Sequence, residues 1–294
     1  MQNMNKSLKM VCLFLTLIMC ATAAPLASVA QDDETLSVVS SNVLFDDTRD
    51  TVYRMHCLAE TYARLDADVI CLQEARPRQM TALYPLMDGY ERVTFAGVND
   101  DKMYQQMLYR KNDLTVVKSG FTRFREGVIP WGVSWAVFSR NSDGRRFAVM
   151  STHLTIISDT YDKGSSNSVE GVQYRKNDCN TILSLITTLR RTYADIPVIV
   201  CGDWNADVGA VELEAMDNSV FMRDAMKVAT MGADTRTSTA HKICRMPTVN
   251  GGDIIDHIYV STDTLEVKTH ETVADGVVIQ GSDHCPVVAR VKFK

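Results

Sequence analysis

The stretch PVIVCGDWNAD, residues 197–207, joins an uninterrupted apolar run to a cluster of polar residues. An apolar run as short as Val198–Cys201 is typical of a β-strand that is covered on both faces. Asp203 and Asn205 follow on a tight turn, one residue apart, so their side chains can point the same way. The stretch therefore predicts a buried strand that presents two polar groups at its end, where loops on a rigid scaffold carry function. A simple Asx turn is the alternative interpretation of the same residues.

Five more polar motifs follow or interrupt apolar runs in a similar way. They are Asn42 in SSN, Glu74 in VICLQE, His153 in FAVMSTH, Asp256 in DIIDHIYV, and the pair Asp283 and His284 in GSDHCPV. Most of them also have a structural explanation. Asn42 fits a turn or cap, Glu74 fits an acid near a helix start, and His153 fits a core histidine. Asp256 is different, because an acid inside an apolar strand is costly without a partner.

The chain after residue 35 alternates apolar strand candidates with amphipathic helix candidates. Strands are predicted over residues 36–43, 69–72, 104–109, 114–121, 135–139, 146–152, 197–201, 254–260, 267–270 and 286–293. Helices are predicted over residues 50–65, 76–86, 170–193 and, for the most part, 212–229. The polar, Gly- and Ser-rich residues 158–168 predict a surface loop. Doubly covered strands with few crossover helices predict an α/β fold, in which two packed sheets are flanked by helices in one domain, residues 35–294.

The first 30 residues have the pattern of a secretory signal peptide. Lys6 and Lys9 precede an apolar run, Met10–Cys20, and small residues at Ser28 and Ala30 fit a cleavage site. The apolar run is shorter than the roughly 20 residues of a transmembrane anchor. We therefore expect export, to a periplasm or to the medium. The alternatives are a buried N-terminal helix and a lipoprotein acylated at Cys20.

The charge of the chain disfavours duplex nucleic acid as a partner. The net charge is −5, and removal of residues 1–30 takes away two lysines and no acid, which makes it −7. An acidic protein gains little from nonspecific attraction to a phosphate backbone. The composition, 46% hydrophobic and 23% charged, is that of an ordinary globular protein.

The cysteines do not predict a metal site. Six of them follow the leader and none forms a CxxC pair, so the spacing matches no zinc pattern. Cys71 and Cys201 lie in apolar runs and are interpreted as small core residues. Export permits disulfides, but the sequence does not indicate which cysteines pair.

The six polar motifs together indicate a metal-dependent phosphoesterase. Their carboxylate and amide oxygens are hard ligands, which suit Mg²⁺ or Mn²⁺ better than structural zinc. Two histidines close to several carboxylates suit the transfer of a phosphoryl group to water. The adjacent Asp283 and His284 offer a metal ligand and an acid/base group at one turn.

The ordered set SSN, LQE, STH, GDWN, IDHI and SDH resembles the endonuclease/exonuclease/phosphatase superfamily. The resemblance runs from Asn42 to His284, and the segment MLYRKNDLTVVKSG, residues 107–120, is similar to a strand pair of that family. It implies the deoxyribonuclease-like fold, a four-layer α/β/β/α sandwich. It also implies that Asn42 and Glu74 bind the metal, with Asp283 close to it.

The resemblance implies roles for the remaining motif residues. Asp203 is expected to orient or deprotonate the attacking water, and Asn205 to hold the phosphate. His153 is expected to donate to the phosphoryl oxygens as charge develops on them. His284 is expected to pair with Asp256, which explains the acid in that strand. Arg175 resembles a family arginine near the substrate.

Departures from the family pattern concern the choice of substrate. Trp204 replaces a common Phe, and residues 124–139, which help to shape the pocket, differ from relatives. A nuclease needs a basic groove, which this charge does not favour. A lipid headgroup would suit exposed aromatic residues around Trp131 and Trp135, and a sugar phosphate or small nucleotide would suit a compact pocket. His257 is interpreted as packing.

The prediction is therefore an exported monomeric phosphoesterase whose substrate is not duplex nucleic acid. Two alternatives remain at this point. One is a secreted endonuclease or exonuclease acting on DNA or RNA. The other is a catalytically inactive binding module on the same fold, which the presence of all six motifs disfavours.

Overall fold

Two pairs of parallel strands, one in each of two sheets, form the centre of the fold. The computed structural model describes residues 35–95, 98, 103–125, 131–156, 168–231, 237–249 and 252–294. The predicted leader, Cys20 and nearly all of the predicted loop 158–168 lie outside these residues. Residues from Glu34 to Lys294 form one compact unit.

The first sheet has six strands and a single parallel pair. Their spatial order is β11 (Leu265–Thr272), β12 (Val287–Phe293), β1 (Thr35–Asn42), β2 (Val69–Gln73), β4 (Gln106–Arg110) and β3 (Tyr90–Arg92). Strands β1 and β2 are parallel and the other neighbours are antiparallel.

The second sheet repeats this arrangement. Its spatial order is β5 (Leu114–Arg123), β6 (Gly132–Arg140), β7 (Arg146–His153), β8 (Val198–Asp203), β10 (Asp256–Ser261) and β9 (Met222–Asp224). Strands β7 and β8 are its parallel pair.

Helices connect the two strands of each parallel pair. The α-helices are α1 (Thr51–Leu65), α2 (Pro77–Leu83), α3 (Val169–Thr192), α4 (Glu214–Asp217), α5 (Ala225–Val228) and α6 (Val278–Gly281), and a 3₁₀ turn covers Tyr84–Leu86. Helix α1 joins β1 to β2, and α3 joins β7 to β8. Within the described part of the chain, no helix is long and apolar enough to cross a membrane.

Apolar side chains fill three layers between these elements. The layer between the sheets includes Cys71 and Cys201, as the sequence predicted. Helix α1 packs Leu58 on the outer face of the first sheet, and α3 packs Ile182 on that of the second. The predicted four-layer α/β/β/α sandwich is therefore confirmed. The six cysteines of the described region are all free thiols.

The predicted strands are all present, although their ends shift by a few residues. The prediction for Glu212–Ala229 is wrong, because this segment holds two four-residue helices with strand β9 between them. The reason is tertiary. Strand β9 pairs with β10, which places Asp224 opposite Tyr259 and buries it. Strands β3 and β9 and helix α6 were not predicted.

The registers of the strands place the polar motifs at one edge of the sandwich. Asn42 ends β1 beside Gln73, the last residue of β2, and His153 ends β7 beside Asp203, the last residue of β8. Parallel neighbours bring their carboxyl ends to the same edge of a sheet. Strand β10 runs the other way and begins there, with Asp256 opposite Asp203.

The close approach of β7 to β8 depends on Gly202. A Cβ atom at this position would lie 2.5 Å from the carbonyl oxygen of Thr152 and 2.5 Å from its Cγ2. Because that oxygen belongs to the strand backbone, it cannot move without separating the two strands that carry His153 and Asp203.

We expect Gly202→Ala to lower the free energy of unfolding by about 1–3 kcal/mol, as overpacking does, and to lower activity through displacement of Asp203. Urea denaturation measures the first effect. Gly276→Ala is the matched control, because no atom lies within 4 Å of its added Cβ. Equal stability of both variants would contradict this account of the strand contact.

Candidate active site

Asp203 lies at the centre of the candidate site and contacts residues from both sheets. Its side chain is 2% exposed. The Oδ2 atom accepts a hydrogen bond from Asn42 Nδ2 at 3.0 Å, and lies 3.4 Å from His153 Nε2 and 3.8 Å from His284 Nε2. The Oδ1 atom accepts a hydrogen bond from the Asn205 backbone at 2.9 Å. Five of the predicted site residues therefore meet at one carboxylate.

Asn42 links Asp203 to a second carboxylate, that of Glu74. The amide nitrogen of Asn42 also donates to Glu74 Oε1 at 3.1 Å. The other oxygen, Glu74 Oε2, accepts from the Phe45 backbone at 2.8 Å, and Asn42 Oδ1 accepts from the Leu44 backbone at 3.0 Å. Two carboxylates thus approach a single amide group, which concentrates negative charge and oxygen ligands at this point.

His284 and Asp256 form the predicted pair. His284 Nδ1 lies 2.7 Å from Asp256 Oδ2, and the Asp256 carboxylate is 1% exposed. The backbone N–H of Asp256 donates to Thr239 Oγ1 at 3.0 Å. Ser282 holds the other side, since its hydroxyl accepts from the His284 backbone and donates to the Asn42 carbonyl. Sequence analysis did not identify Thr239 or Ser282.

The acidic and basic groups of the site shift one another's pKa values in opposite directions. Burial alone would raise the pKa of Asp203, but His153 and His284 hold it below its ordinary value. For Asp256, burial prevails and its pKa is raised, although His284 opposes the shift. Burial opposes the charge of His284, yet Asp256 and Asp203 raise its pKa well above the ordinary value. Asp203 is therefore a carboxylate and His284 a proton carrier at neutral pH.

Asn205 has a strained backbone conformation that hydrogen bonds to Asp203 and Leu154 hold in place. Its φ is +46°, in the left-handed region, and its side-chain nitrogen donates to the Leu154 carbonyl at 3.0 Å. Leu44 and Glu74, with φ of +57°, share this region of backbone space. Non-glycine residues in this region cost about 1–3 kcal/mol each and concentrate at functional sites.

His153 completes the part of the site that the second sheet contributes. Its side chain is 3% exposed, and the ring of Trp131 meets it edge-on, with the ring centroids 4.8 Å apart and an interplanar angle of 87°. The indole therefore fixes the plane of the imidazole. Trp131 is itself partly exposed.

Arg54 is a buried cation next to the site, and sequence analysis did not identify it. Its guanidinium donates to the carbonyls of Val43, Leu44 and Gly281 at 2.8–3.0 Å. These contacts tie the loop after β1 to the loop that carries Asp283. Because the acceptors are backbone oxygens, no pattern of acidic residues in the sequence indicates them.

A second buried His–Asp pair supports the turn that carries Asn205. His257 Nδ1 lies 3.0 Å from Asp224 Oδ2, and its Nε2 lies 3.0 Å from the Ala206 carbonyl. A ring with acceptors at both nitrogens satisfies both only as a cation. Burial opposes that charge, but Asp224 raises the pKa of His257 above its ordinary value. His257 thus packs within its strand and also fixes the turn through the Ala206 carbonyl.

Arg175 contacts Glu212 and, within the described residues, no member of the cluster around Asp203. It is fully buried, and its Nη2 atom lies 2.6 Å from Glu212 Oε1 in an ion pair of which both side chains are buried. The pair joins α3 to the loop after the Asn205 turn. The predicted contact between Arg175 and substrate therefore receives no support from this geometry.

Several of these residues could hold a divalent metal ion. Asn42 and Glu74 offer hard oxygens beside Asp203. The carboxylate of Asp283 is partly exposed and has no hydrogen-bond or ion-pair partner among residues 35–294 that the structure describes. Ligand atoms of Asp203, Asp256 and His284 also lie within 4.8 Å of one another. In that trio, Nε2 is the nitrogen of His284 that could bind an ion, because Nδ1 contacts Asp256. The oxygens of Asn42 and Glu74 are hard ligands of the kind that bind divalent ions.

A family model provides the deciding comparison. The model described as "Endonuclease/Exonuclease/phosphatase family" matches residues 39–284. The chain belongs to this family. The match spans every motif from Asn42 to His284, and it agrees with the fold. Members of the family hydrolyse phosphoesters. A search of curated proteins finds no significant match to the sequence.

Solved structures of the endonuclease/exonuclease/phosphatase family have the same fold. A family protein from Bacteroides vulgatus is 21% identical, with a TM-score of 0.73 over 88% of this chain and 99% of the other. A mannosyl-6-phosphatase from Bacteroides thetaiotaomicron is 19% identical, with a TM-score of 0.69 over 88% and 99%. TDP2 from D. rerio, complexed with single-strand DNA product, is 16% identical, with a TM-score of 0.65 over 88% and 99%. At these identities the likeness shows the fold alone.

The loop that follows His153 depends on a buried acid, Asp178 of α3. Its Oδ2 atom accepts from the Thr155 backbone at 2.9 Å. Burial raises the pKa of Asp178 to about 6, although the hydrogen bonds with Thr155 oppose the shift. A raised pKa means that this acid contributes stability below the unfolded pKa of 3.8, and that the contribution is lost as the pH rises through about 6.

We expect Asp178→Asn, which keeps an acceptor for Thr155, to be more stable than the wild type at pH 7.5 by up to about 3 kcal/mol. At pH 3.5 the difference should be much smaller, because Asp178 is then protonated in the folded protein and mostly protonated in the unfolded chain. Chemical denaturation at the two pH values measures this difference. A stability difference that does not change with pH would refute the assignment of a raised pKa.

Proposed function

We propose that this protein is an exported, divalent-metal-dependent phosphoesterase that hydrolyses its substrate by in-line attack of water. One observation carries the proposal: the buried carboxylate of Asp203 contacts Asn42, His153 and His284, which come from both sheets. A buried acid beside two histidines and an amide indicates a catalytic role, because apolar residues at these positions would make the core more stable. Family membership supports phosphoester hydrolysis as that reaction.

The end of the second sheet supplies Asp203, His153 and Asn205, which act on water and phosphate, and the loop before β12 supplies His284. Asp203, kept ionised by its two histidine neighbours, orients the water and takes its proton. His153 donates a hydrogen bond to a phosphoryl oxygen. Asn205 has one side-chain N–H committed to Leu154, and the second N–H holds the phosphate. His284 carries a proton, and Asp256 fixes the orientation of its ring.

The first sheet supplies the metal ligands. Asn42 and Glu74 would hold the ion, with Asp283 close to it on the loop before β12. A bound divalent ion neutralises the phosphate charge and stabilises the charge that develops in the transition state. Arg54 donates hydrogen bonds to the segment after Asn42 and to the segment before Asp283, and so fixes the distance between these two residues.

The substrate that we propose is a small phosphoester and not a nucleic acid duplex. The net charge of −7 after removal of the leader would repel a polyanion. The likeness to a mannosyl-6-phosphatase is consistent with a sugar phosphate, and the partly exposed Trp131 offers a sugar ring or an apolar headgroup a flat surface beside His153. The likeness to TDP2 with single-strand DNA product keeps a nuclease as the second candidate.

Export and oligomeric state are further parts of the proposal. The basic residues, apolar run and small residues of positions 1–30 support cleavage and release to a periplasm or the medium. Cys20 provides the alternative, a lipoprotein. A single chain brings together every proposed catalytic residue, so we propose that the enzyme acts as a monomer.

We expect Asn205→Ala and His284→Ala each to lower kcat/KM by about 10²–10⁴-fold, which is the effect of losing a transition-state donor or an acid/base group. The measurement is hydrolysis of bis(p-nitrophenyl) phosphate by the purified mature protein with Mg²⁺. EDTA should abolish activity, and Mg²⁺ or Mn²⁺ should restore it.

His56→Ala is the matched control, because His56 lies on the exposed face of α1. Circular dichroism establishes that each variant folds. Activity that survives either substitution and EDTA would rule out the proposed reaction. No hydrolysis of any phosphoester by the wild type would favour the inactive binding module.

A further inference from the structure

Arg76 lies beside the proposed metal ligands in a clamp of two aromatic rings. Its guanidinium carbon is 4.0 Å from the ring centroid of Phe45 and 4.7 Å from that of Tyr104. Cation–π contacts of this kind hold an arginine in a defined place. We call Phe45, Arg76 and Tyr104 the arginine clamp.

Hydrogen bonds attach the arginine clamp directly to Glu74. The backbone N–H of Phe45 donates to Glu74 Oε2 at 2.8 Å, and that of Arg76 donates to the Glu74 carbonyl at 2.9 Å. Ala75, which lies between Glu74 and Arg76, donates its N–H to the Tyr104 carbonyl at 2.9 Å. The clamp therefore forms the wall of the site on the side of the first sheet. His153 and Asn205, which we assign to the reacting phosphate, come from the second sheet.

Among the residues that the structure describes, the side chain of Arg76 has no acidic partner. Over the ranges that the structure describes, its guanidinium forms no hydrogen bond or ion pair, and its Nε atom is buried without an acceptor. By contrast, Arg78 on the same turn lies 3.7 Å from Asp47. The chain has 36 acidic and 31 basic residues, yet none of the acids in the described ranges pairs with Arg76. A buried donor without an acceptor costs about 1–3 kcal/mol.

The two ring contacts place the guanidinium carbon over the rings and provide no hydrogen-bond acceptor for its N–H groups. The N–H donors lie in the plane of the group, and the two Nη atoms, which are not buried as Nε is, present a fork that matches the oxygens of a phosphate or carboxylate. Because the rings already restrict the side chain, binding an anion costs less conformational entropy than it would at a free surface arginine. The clamp thus has the donors, the charge and the rigidity of an anion subsite.

We propose that the arginine clamp binds a second anionic group of the substrate, a phosphate other than the one that is hydrolysed. This inference rests on the proposed function for the position of the reacting phosphate. The subsite takes a phosphate attached to the part of the substrate that extends over the first sheet. A sugar bisphosphate and a 5′-phosphorylated dinucleotide both carry such a group.

Isothermal titration calorimetry of the mature protein in EDTA tests the clamp without turnover. One arm compares glucose 1,6-bisphosphate with glucose 1-phosphate, and the other compares the dinucleotides pTpT and TpT. We expect the wild type to prefer the ligand with the additional phosphate in at least one arm. We expect Arg76→Gln to weaken binding of that ligand by about 10-fold or more, as loss of a charged hydrogen bond does, and to leave the other ligand unchanged.

Arg78→Gln is the matched control, since Arg78 is exposed and lies two residues along the chain. It should bind all four ligands as the wild type does.

Arg76→Lys keeps the charge and loses the fork of donors, so it should show an intermediate loss of affinity. This variant replaces Arg76→Gln if thermal unfolding shows that Arg76→Gln does not fold.

In one arm or the other, Arg76→Gln should lose the preference for the ligand with the additional phosphate. That arm identifies the source of the second phosphate, a sugar or a nucleotide. Equal losses for both ligands of a pair, or no loss in either arm, would overturn the arginine clamp as a second-phosphate site. A wild type that binds with this preference but hydrolyses no phosphoester with Mg²⁺ would instead refute the proposed function and leave the subsite intact.

Discussion

The burial of one carboxylate, that of Asp203, is the constraint on which the site depends. A charge removed from water is tolerated only if neighbours replace the lost hydration. Here the neighbours are the amide of Asn42, the imidazoles of His153 and His284, and the backbone N–H of Asn205. The same contacts that make burial tolerable also keep the acid ionised, so one arrangement serves both stability and catalysis.

The fold satisfies this constraint through its two parallel strand pairs. Each pair ends at the same edge of the sandwich, so β1 and β2 present Asn42 and Glu74 while β7 and β8 present His153 and Asp203. The first sheet carries Asn42, and the second carries His153 and Asp203. The polar groups therefore meet only when the two sheets pack, and the apolar layer between the sheets fixes the distances within the site.

The motifs were predictable from sequence because each combines an apolar run with a polar residue that such a run does not need. Asp256 is the clearest case, since an acid in a buried strand implies a partner, and the structure provides His284. Contacts made through backbone atoms were not predictable. Arg54 binds carbonyl groups, and His257 binds one carbonyl and an acid, Asp224, on a segment whose helical periodicity was misleading. Only tertiary structure reveals such partners.

The most direct test of this account is the isosteric variant Asp203→Asn, assayed with bis(p-nitrophenyl) phosphate and Mn²⁺. Asparagine keeps the shape of the side chain but removes the charge that orients His153 and His284 and accepts the proton of water. The account predicts a loss in kcat of at least about 100-fold, with a thermal unfolding midpoint below that of the wild type, because Asp203 is ionised in the folded protein and its loss leaves the charge of His284 less compensated. A variant that folds and retains kcat within about 3-fold of the wild type would contradict the central role of Asp203.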